Sequence, residues 1–133
     1  MAEYLLSYMA KEQSVSDKFY IRSAAVSSEE LGNPVHSGTK RVLSRFGIDC
    51  SAKRARKITR ADYDEFDLLI AMDKDNLRRM NAFFGGDPDR KMRLMLDYTD
   101  RGGDVADPWY TGNFEQTLTD IKAGCEGILK QYA

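Results

Sequence analysis

Asp107-Pro108-Trp109-Tyr110 is the stretch of this chain best equipped for chemistry. The proline drives the preceding aspartate toward an extended conformation, from which its carboxyl group can be aimed into a cleft. Two large rings follow that can pack against an aromatic substrate. A carboxyl beside an aromatic wall suits a general acid on a mobile loop. The same residues also make a surface turn in which Asp107 bonds its own backbone and Trp109 covers the core, and on these residues alone the turn is the plainer reading. Cys50 and Arg56 form a C-x5-R spacing, with which a thiolate and a bidentate arginine can share one phosphate. That use needs a strand ahead of the cysteine and loop N–H groups converging on the anion. Only Ile48 could belong to such a strand, and no glycine lies between Cys50 and Arg56. Lys53, Arg54, Arg56 and Lys57 therefore read as a solvated basic patch with local salt bridges. His36 has no Ser, Cys or acidic neighbour at a telling spacing and reads as a turn histidine. Cys125 falls in an apolar stripe and reads as a small buried hydrophobe.

These residues need a scaffold, and the hydrophobic pattern alternates helices with short strands. Met1, Leu5, Leu6 and Met9 make a helical stripe over residues 1–13. Phe19 to Val26 reads as a short strand, and Ser37 to Phe46 as a helix stopped by Gly47. Thr59 with Asp62 resembles a capping box before Phe66. Phe66 to Met72 is nearly continuous in apolar residues, as a parallel strand covered on both faces should be. Asp73 or Asp75 caps the next helix, which ends at Phe83-Phe84 before Gly85-Gly86. Met92 to Tyr98 is the third strand. The last helix has Asn113 as its cap and Phe114, Leu118, Ile121, Cys125, Ile128, Leu129 and Tyr132 on one face. The order predicts an α/β domain of three layers, α/β/α, around a small parallel sheet. Ligands of such sheets bind beyond the carboxyl ends of the strands, where the Thr99–Thr111 loop falls.

Composition narrows the function. The 133 residues predict one domain, 1–133, and 20 Lys+Arg against 21 Asp+Glu leave no basic field for nucleic acid. No apolar run approaches the ~18 residues of a membrane span, and the first residues lack the basic and apolar regions of a secretion signal. A cytoplasmic protein is expected. Two cysteines and one histidine are too few for a protein-only zinc site, so no metal is expected.

From Met1 to Ala133 the chain resembles the low-molecular-weight protein-tyrosine phosphatases. The resemblance rests on an ordered set of segments: Met1-Ala2-Glu3, Ser23-Ala24, Gly47-Ile48-Asp49, Arg54 to Thr59, Phe66 to Asp73 with Asn76-Leu77, and Asp107-Pro108-Trp109-Tyr110. It implies a phosphotyrosine phosphatase I-like fold, a phosphotyrosine protein or other phosphomonoester as substrate, and no cofactor. It implies that Asp107 is the general acid and then the general base, and that Trp109 and Tyr110 flank the substrate ring. Cys50 falls where the family has ordinary residues. The family's nucleophilic cysteine and phosphate-binding arginine, in a C-x5-R-S-P turn, would lie immediately ahead of Met1-Ala2-Glu3 together with its first strand.

The resemblance therefore implies that these 133 residues carry no nucleophile and are inactive as given. A start codon assigned at an internal Met, a shortened chain or gene decay would each account for this. Arsenate reduction is disfavoured, because related reductases use additional cysteines beside the nucleophile. Protein-arginine phosphatase activity in the intact gene product stays open. A non-catalytic protein-binding module on the same fold is the alternative from another class. A receiver-type signalling domain would need acidic residues at the end of a first strand, which is absent. In the family the first strand lies between the second and third. Its loss leads to the expectation that Phe19–Val26 pairs directly with Phe66–Met72, or that a second copy of the chain fills the gap.

Overall fold

The computed structural model describes residues 1–26, 37–50, 52–105 and 113–133. Helix α1 (Ala2–Glu12) buries Leu5, Leu6 and Ala10, and a 3-10 turn (Ser16–Lys18) follows it. Helix α2 (Ser37–Ser44) stops two residues earlier than its apolar pattern suggests. The chain leaves it through a turn closed by Gly47 at φ 72°, a conformation that favours glycine. Helix α3 (Arg60–Glu65) begins at Thr59, whose N–H donates to Asp62 Oδ2 at 2.8 Å, as the capping pattern predicts. Strand β1 (Leu69–Ala71) leads into α4 (Lys74–Phe84). Asp73, not Asp75, caps α4 by accepting from Asn76 N–H at 2.7 Å. Strand β2 (Met92–Leu94) is followed by a second 3-10 turn (Met95–Tyr98). Helix α5 (Phe114–Tyr132) closes the chain, with Asn113 Oδ1 accepting from Gln116 N–H at 3.0 Å.

The sheet is parallel, with Leu69 opposite Met92 and Ala71 opposite Leu94. Period-two alternation along β1 separates two cores. Ile70 and Met72 pack into the cluster of Leu5, Leu43, Leu96, Cys125 and Leu129 from α1, α2, the second 3-10 turn and α5. Leu69 and Ala71 face Tyr63, Met80, Met92 and Leu94 on the side of α3 and α4. This is the three-layer α/β/α arrangement expected of the sequence.

All three expected strands change: Phe66–Met72 is a strand only over Leu69–Ala71, and the other two differ more. Phe19–Val26 is not a strand of the sheet. Ala25 N–H donates to Arg56 O at 2.7 Å and Ile58 N–H to Ala25 O at 2.9 Å, one isolated parallel bridge between Ala25 and Lys57. Direct pairing with Phe66–Met72 is thus not what forms. A strand is held by its ladder, and among the described residues β1 ladders only with β2. Tyr20 is instead 60% exposed, its ring stacked on Phe66 at 5.5 Å and with the Arg22 guanidinium 4.4 Å from its centroid. Met92–Tyr98 is the third correction. It is a strand only to Leu94, because Asp97 Oδ2 accepts from Leu94 N–H at 3.0 Å and winds the following residues into a turn.

Asp62 carries a testable load. It is 6% exposed, and its Oδ2 also takes a bond from Arg56 Nη1 at 3.1 Å. Burial opposes its charge, but the bonds from Thr59 and Arg56 outweigh this and hold its carboxyl below the ordinary 3.8. A group whose folded-state pKa is depressed gives stability that is present above its unfolded value and is lost as pH falls through the folded one. Asp62→Asn is expected to cost about 1–3 kcal/mol near neutral pH and less near pH 3. Urea melts at the two pH values check this, and an equal loss at both would reject it.

Candidate active site

The carboxyl end of β1 is where the elements converge. Met72 O, one residue past the strand, accepts from Val105 N–H at 2.8 Å. Asp104 Oδ1 accepts from the backbone N–H of Lys74, in the first turn of α4, at 2.9 Å. These two bonds fold the loop that follows the second 3-10 turn back across the end of the strand. Val105 is 5% exposed and sits in the same apolar cluster as Leu5, Cys50 and Cys125. Met1, at the amino end of α1, packs against that cluster, as does Met72. Burial pushes the amino group of Met1 below its ordinary 8.0. Asp107, Trp109, Tyr110 and His36 lie outside the described residues. What is visible is the stem that carries the first three: Val105, two positions before Asp107, is fixed at the carboxyl end of β1.

A three-segment knot lies on the first turn of α1. Glu3 Oε1 accepts from Ser23 Oγ at 2.8 Å and from Lys53 Nζ at 2.8 Å. Both members of the ion pair are mostly covered, with side chains 14% and 20% exposed. Burial alone would raise the Glu3 pKa, but the bonds from Lys53 and Ser23 overcome it and hold the carboxyl below its ordinary 4.5. The knot joins α1, the extended segment before Ala25 and the basic segment after Cys50. Lys53 is therefore not part of a solvated patch. Ser23 and Lys53 stand 20 and 50 positions from Glu3, so no local spacing could have flagged the three together.

Neither cysteine is set up to attack. Cys50 is 3% exposed, and Arg56 at the end of its C-x5-R spacing is occupied by Asp62. Cys125 is fully buried on the inner face of α5, where desolvation pushes its thiol up to about 12. A thiolate nucleophile needs the opposite environment, partly open and electropositive. Among the described residues, no three His, Cys, Asp or Glu side chains are grouped to hold a metal ion, and no helix is long and apolar enough to cross a membrane.

Comparison with known proteins agrees with this architecture. The family described as low molecular weight phosphotyrosine protein phosphatase matches residues 1–133. The low molecular weight protein-tyrosine-phosphatase YfkJ of Bacillus subtilis is 37% identical over 131 residues, covering 97% of this chain and 84% of that protein. Its crystal structure superposes with a TM-score of 0.92 at 36% identity, covering 98% of this chain and 83% of the other. The low molecular weight protein tyrosine phosphatase SP-PTP of Streptococcus pyogenes gives a TM-score of 0.86 at 34% identity, over 99% of this chain and 83% of that one. The drosophila arginine phosphatase DARP gives 0.85 at 25% identity, over 98% and 87%. A match along every residue, joined to so close a superposition at this level of identity, exceeds what a shared α/β architecture produces, and the chain belongs to the low molecular weight phosphotyrosine protein phosphatase family.

Proposed function

We propose that this chain forms the acid-bearing part of a pocket that hydrolyses phosphotyrosine in proteins, and that its 133 residues alone lack the attacking part. In the complete reaction a low-pKa cysteine thiolate attacks phosphorus, and the bond to the phenolic oxygen breaks. Asp107 protonates that oxygen, then as carboxylate takes a proton from the water that hydrolyses the cysteinyl-phosphate. Trp109 and Tyr110 flank the ring of the substrate. An arginine and converging backbone N–H groups supply the positive potential, so no metal or cofactor enters. The observation that carries this reading is the fixed stem: Val105 bonded to Met72 O brings the chain to the carboxyl end of β1 two residues before Asp107. Support for the missing half is the state of Cys50 and Cys125, both buried.

The test is to prepend a strand and a Cys-x5-Arg-Ser-Pro turn to Met1 and assay phosphotyrosine and phosphoarginine peptides without metal. Hydrolysis of the phosphotyrosine peptide is expected, with Asp107→Asn lowering kcat by about 10²–10⁴-fold. Preference for phosphoarginine would transfer the site to the other activity, and an Asp107→Asn variant at full rate would remove the acid from the mechanism. On this reading the protein acts in the cytoplasm on phosphorylated protein rather than on nucleic acid or membrane. Its β1 edge away from β2 suits a strand from a second copy. Sedimentation as a monomer at every concentration tried would reject the homodimer.

A further inference from the structure

Between Asp49 and Asp62 the chain carries Lys53, Arg54, Arg56, Lys57 and Arg60 and no acidic residue. The fold sorts these cations. Lys53 is taken up by Glu3 at 2.8 Å and Arg56 by Asp62 at 3.1 Å. Lys57 and Arg60 are exposed, and neither forms an ion pair with a carboxylate among the described residues. Both converge instead on one ring: Lys57 Nζ and the Arg60 guanidinium each lie 5.8 Å from the centroid of Phe83. That ring is itself held, edge-on to Phe84 at 5.1 Å, and Phe84 packs on Tyr63 at 5.4 Å. A cation is attracted to an aromatic face, but the ring carries no net charge and leaves the repulsion between two like charges unrelieved. Side chains already gathered on a fixed ring also spare a ligand part of the cost of ordering them. Asp64 and Glu65, the acids nearest in sequence on the exposed side of α3, pair with neither cation. Such a surface suits a segment bearing carboxylates. It is too small for a nucleic-acid backbone, whose affinity grows with the number of phosphates neutralised. Phe83 lies nine positions beyond Lys74, about 14 Å along α4 from the end that meets β1.

We propose that Lys57, Arg60 and Phe83 form a docking surface for an acidic segment of the protein substrate, separate from the candidate site at the end of β1. An extended chain needs about four residues to span about 14 Å, so the acidic segment lies at least that far from the phosphotyrosine. The proposal rests on the reading that the chain acts on phosphorylated protein, but its test requires neither turnover nor phosphate. The probe is a fluorescein-labelled Glu-Glu-Phe-Glu-Glu peptide, titrated with the 133-residue chain at low salt and followed by anisotropy. Lys57→Gln and Arg60→Gln are each expected to weaken binding by about threefold, and together by about tenfold, the scale of exposed charge pairs. Phe83→Leu, which keeps an apolar side chain but removes the ring, should weaken it by about threefold. Asp64→Asn, which removes a carboxylate one helical turn from Arg60, should tighten it. Arg78→Gln, at an exposed cation already paired with Asp75, should change nothing. A peptide with Gln in place of each Glu should not bind. Lys57 and Arg60 are exposed, so their variants are expected to keep the thermal midpoint of the chain. No saturable binding, equal affinity in a folded double variant, equal weakening by Arg78→Gln, or tighter binding of a single-stranded oligonucleotide of the same charge would overturn the proposal. Binding as expected by a chain whose extended form leaves phosphotyrosine peptides intact would keep the docking surface and discard the reading of its partner as a substrate.

Discussion

An aryl phosphate incubated with the 133-residue chain alone is expected to release its phenol no faster than in buffer, and Cys50→Ser is expected to change nothing. Phosphate monoesters hydrolyse so slowly unaided that enzymes must supply rate factors of up to about 10²¹. A positioned acid contributes about 10²–10⁴ of that, and only to a phosphate already held and under attack. Of the thiols present, Cys125 is fully buried and desolvation pushes its pKa up to about 12, against the thiolate form. Cys50 is 3% exposed and its arginine is bonded to Asp62. On the proposed reading neither delivers a thiolate to phosphorus. Orthovanadate should also fail to bind, because it needs the same cradle. Turnover of a phosphotyrosine peptide that disappears in Cys50→Ser would show the dismissed cysteine to be the nucleophile.

Gly127→Ala is the substitution expected to harm the fold most. A Cβ built at Gly127 would stand 1.9 Å from the carbonyl oxygen of Tyr98 and 2.8 Å from its carbonyl carbon. Alanine is worth about 1 kcal/mol more than glycine in a helix interior, so an unhindered site would be stabilised. Here the obstacle is backbone, which no rotamer change can move aside. Relieving the clash means prising α5 from the turn Met95–Tyr98, against which Gly124 also lies close. A net loss of about 3 kcal/mol is expected, seen as a fall of roughly 10 °C in the thermal midpoint. Gly124→Ala meets the Met95 sulfur at 2.5 Å and its carbonyl oxygen at 2.9 Å, and a methionine side chain yields more readily. Its loss should be smaller. A Gly127→Ala chain melting at or above the unsubstituted temperature would mean that the close approach does not exist.

Much of the scaffold was legible because its signals are local. Asp73 and Asn113 each accept from the N–H three residues onward and Asp62 accepts from Thr59 N–H three residues back, a distance that spacing can read. The α5 stripe was legible only in part. Ile121, Cys125, Ile128 and Leu129 are buried as the pattern requires, but Tyr132 is exposed, and Thr117, Asp120 and Gly124 share the inner face. Periodicity finds the direction of a helix face and is blind to a polar residue buried by a partner on another element. The ion pair of Arg101 with Asp120 spans 19 positions, and the glycines of α5 are meaningful only beside the turn they touch.

The amino-acid sequence by itself determined the family, the layered α/β class and the caps at Thr59 and Asn113, since each is written in neighbouring residues or in an ordered set of short motifs. Only the folded chain decided that Phe19–Val26 remains a bridge and not a strand, that Glu3, Ser23 and Lys53 form one knot, and that Asp120 is a buried ion. The physical reason is common to all three. A ladder, an ion pair and a desolvated charge are properties of two surfaces brought together, and no single stretch of chain specifies its partner.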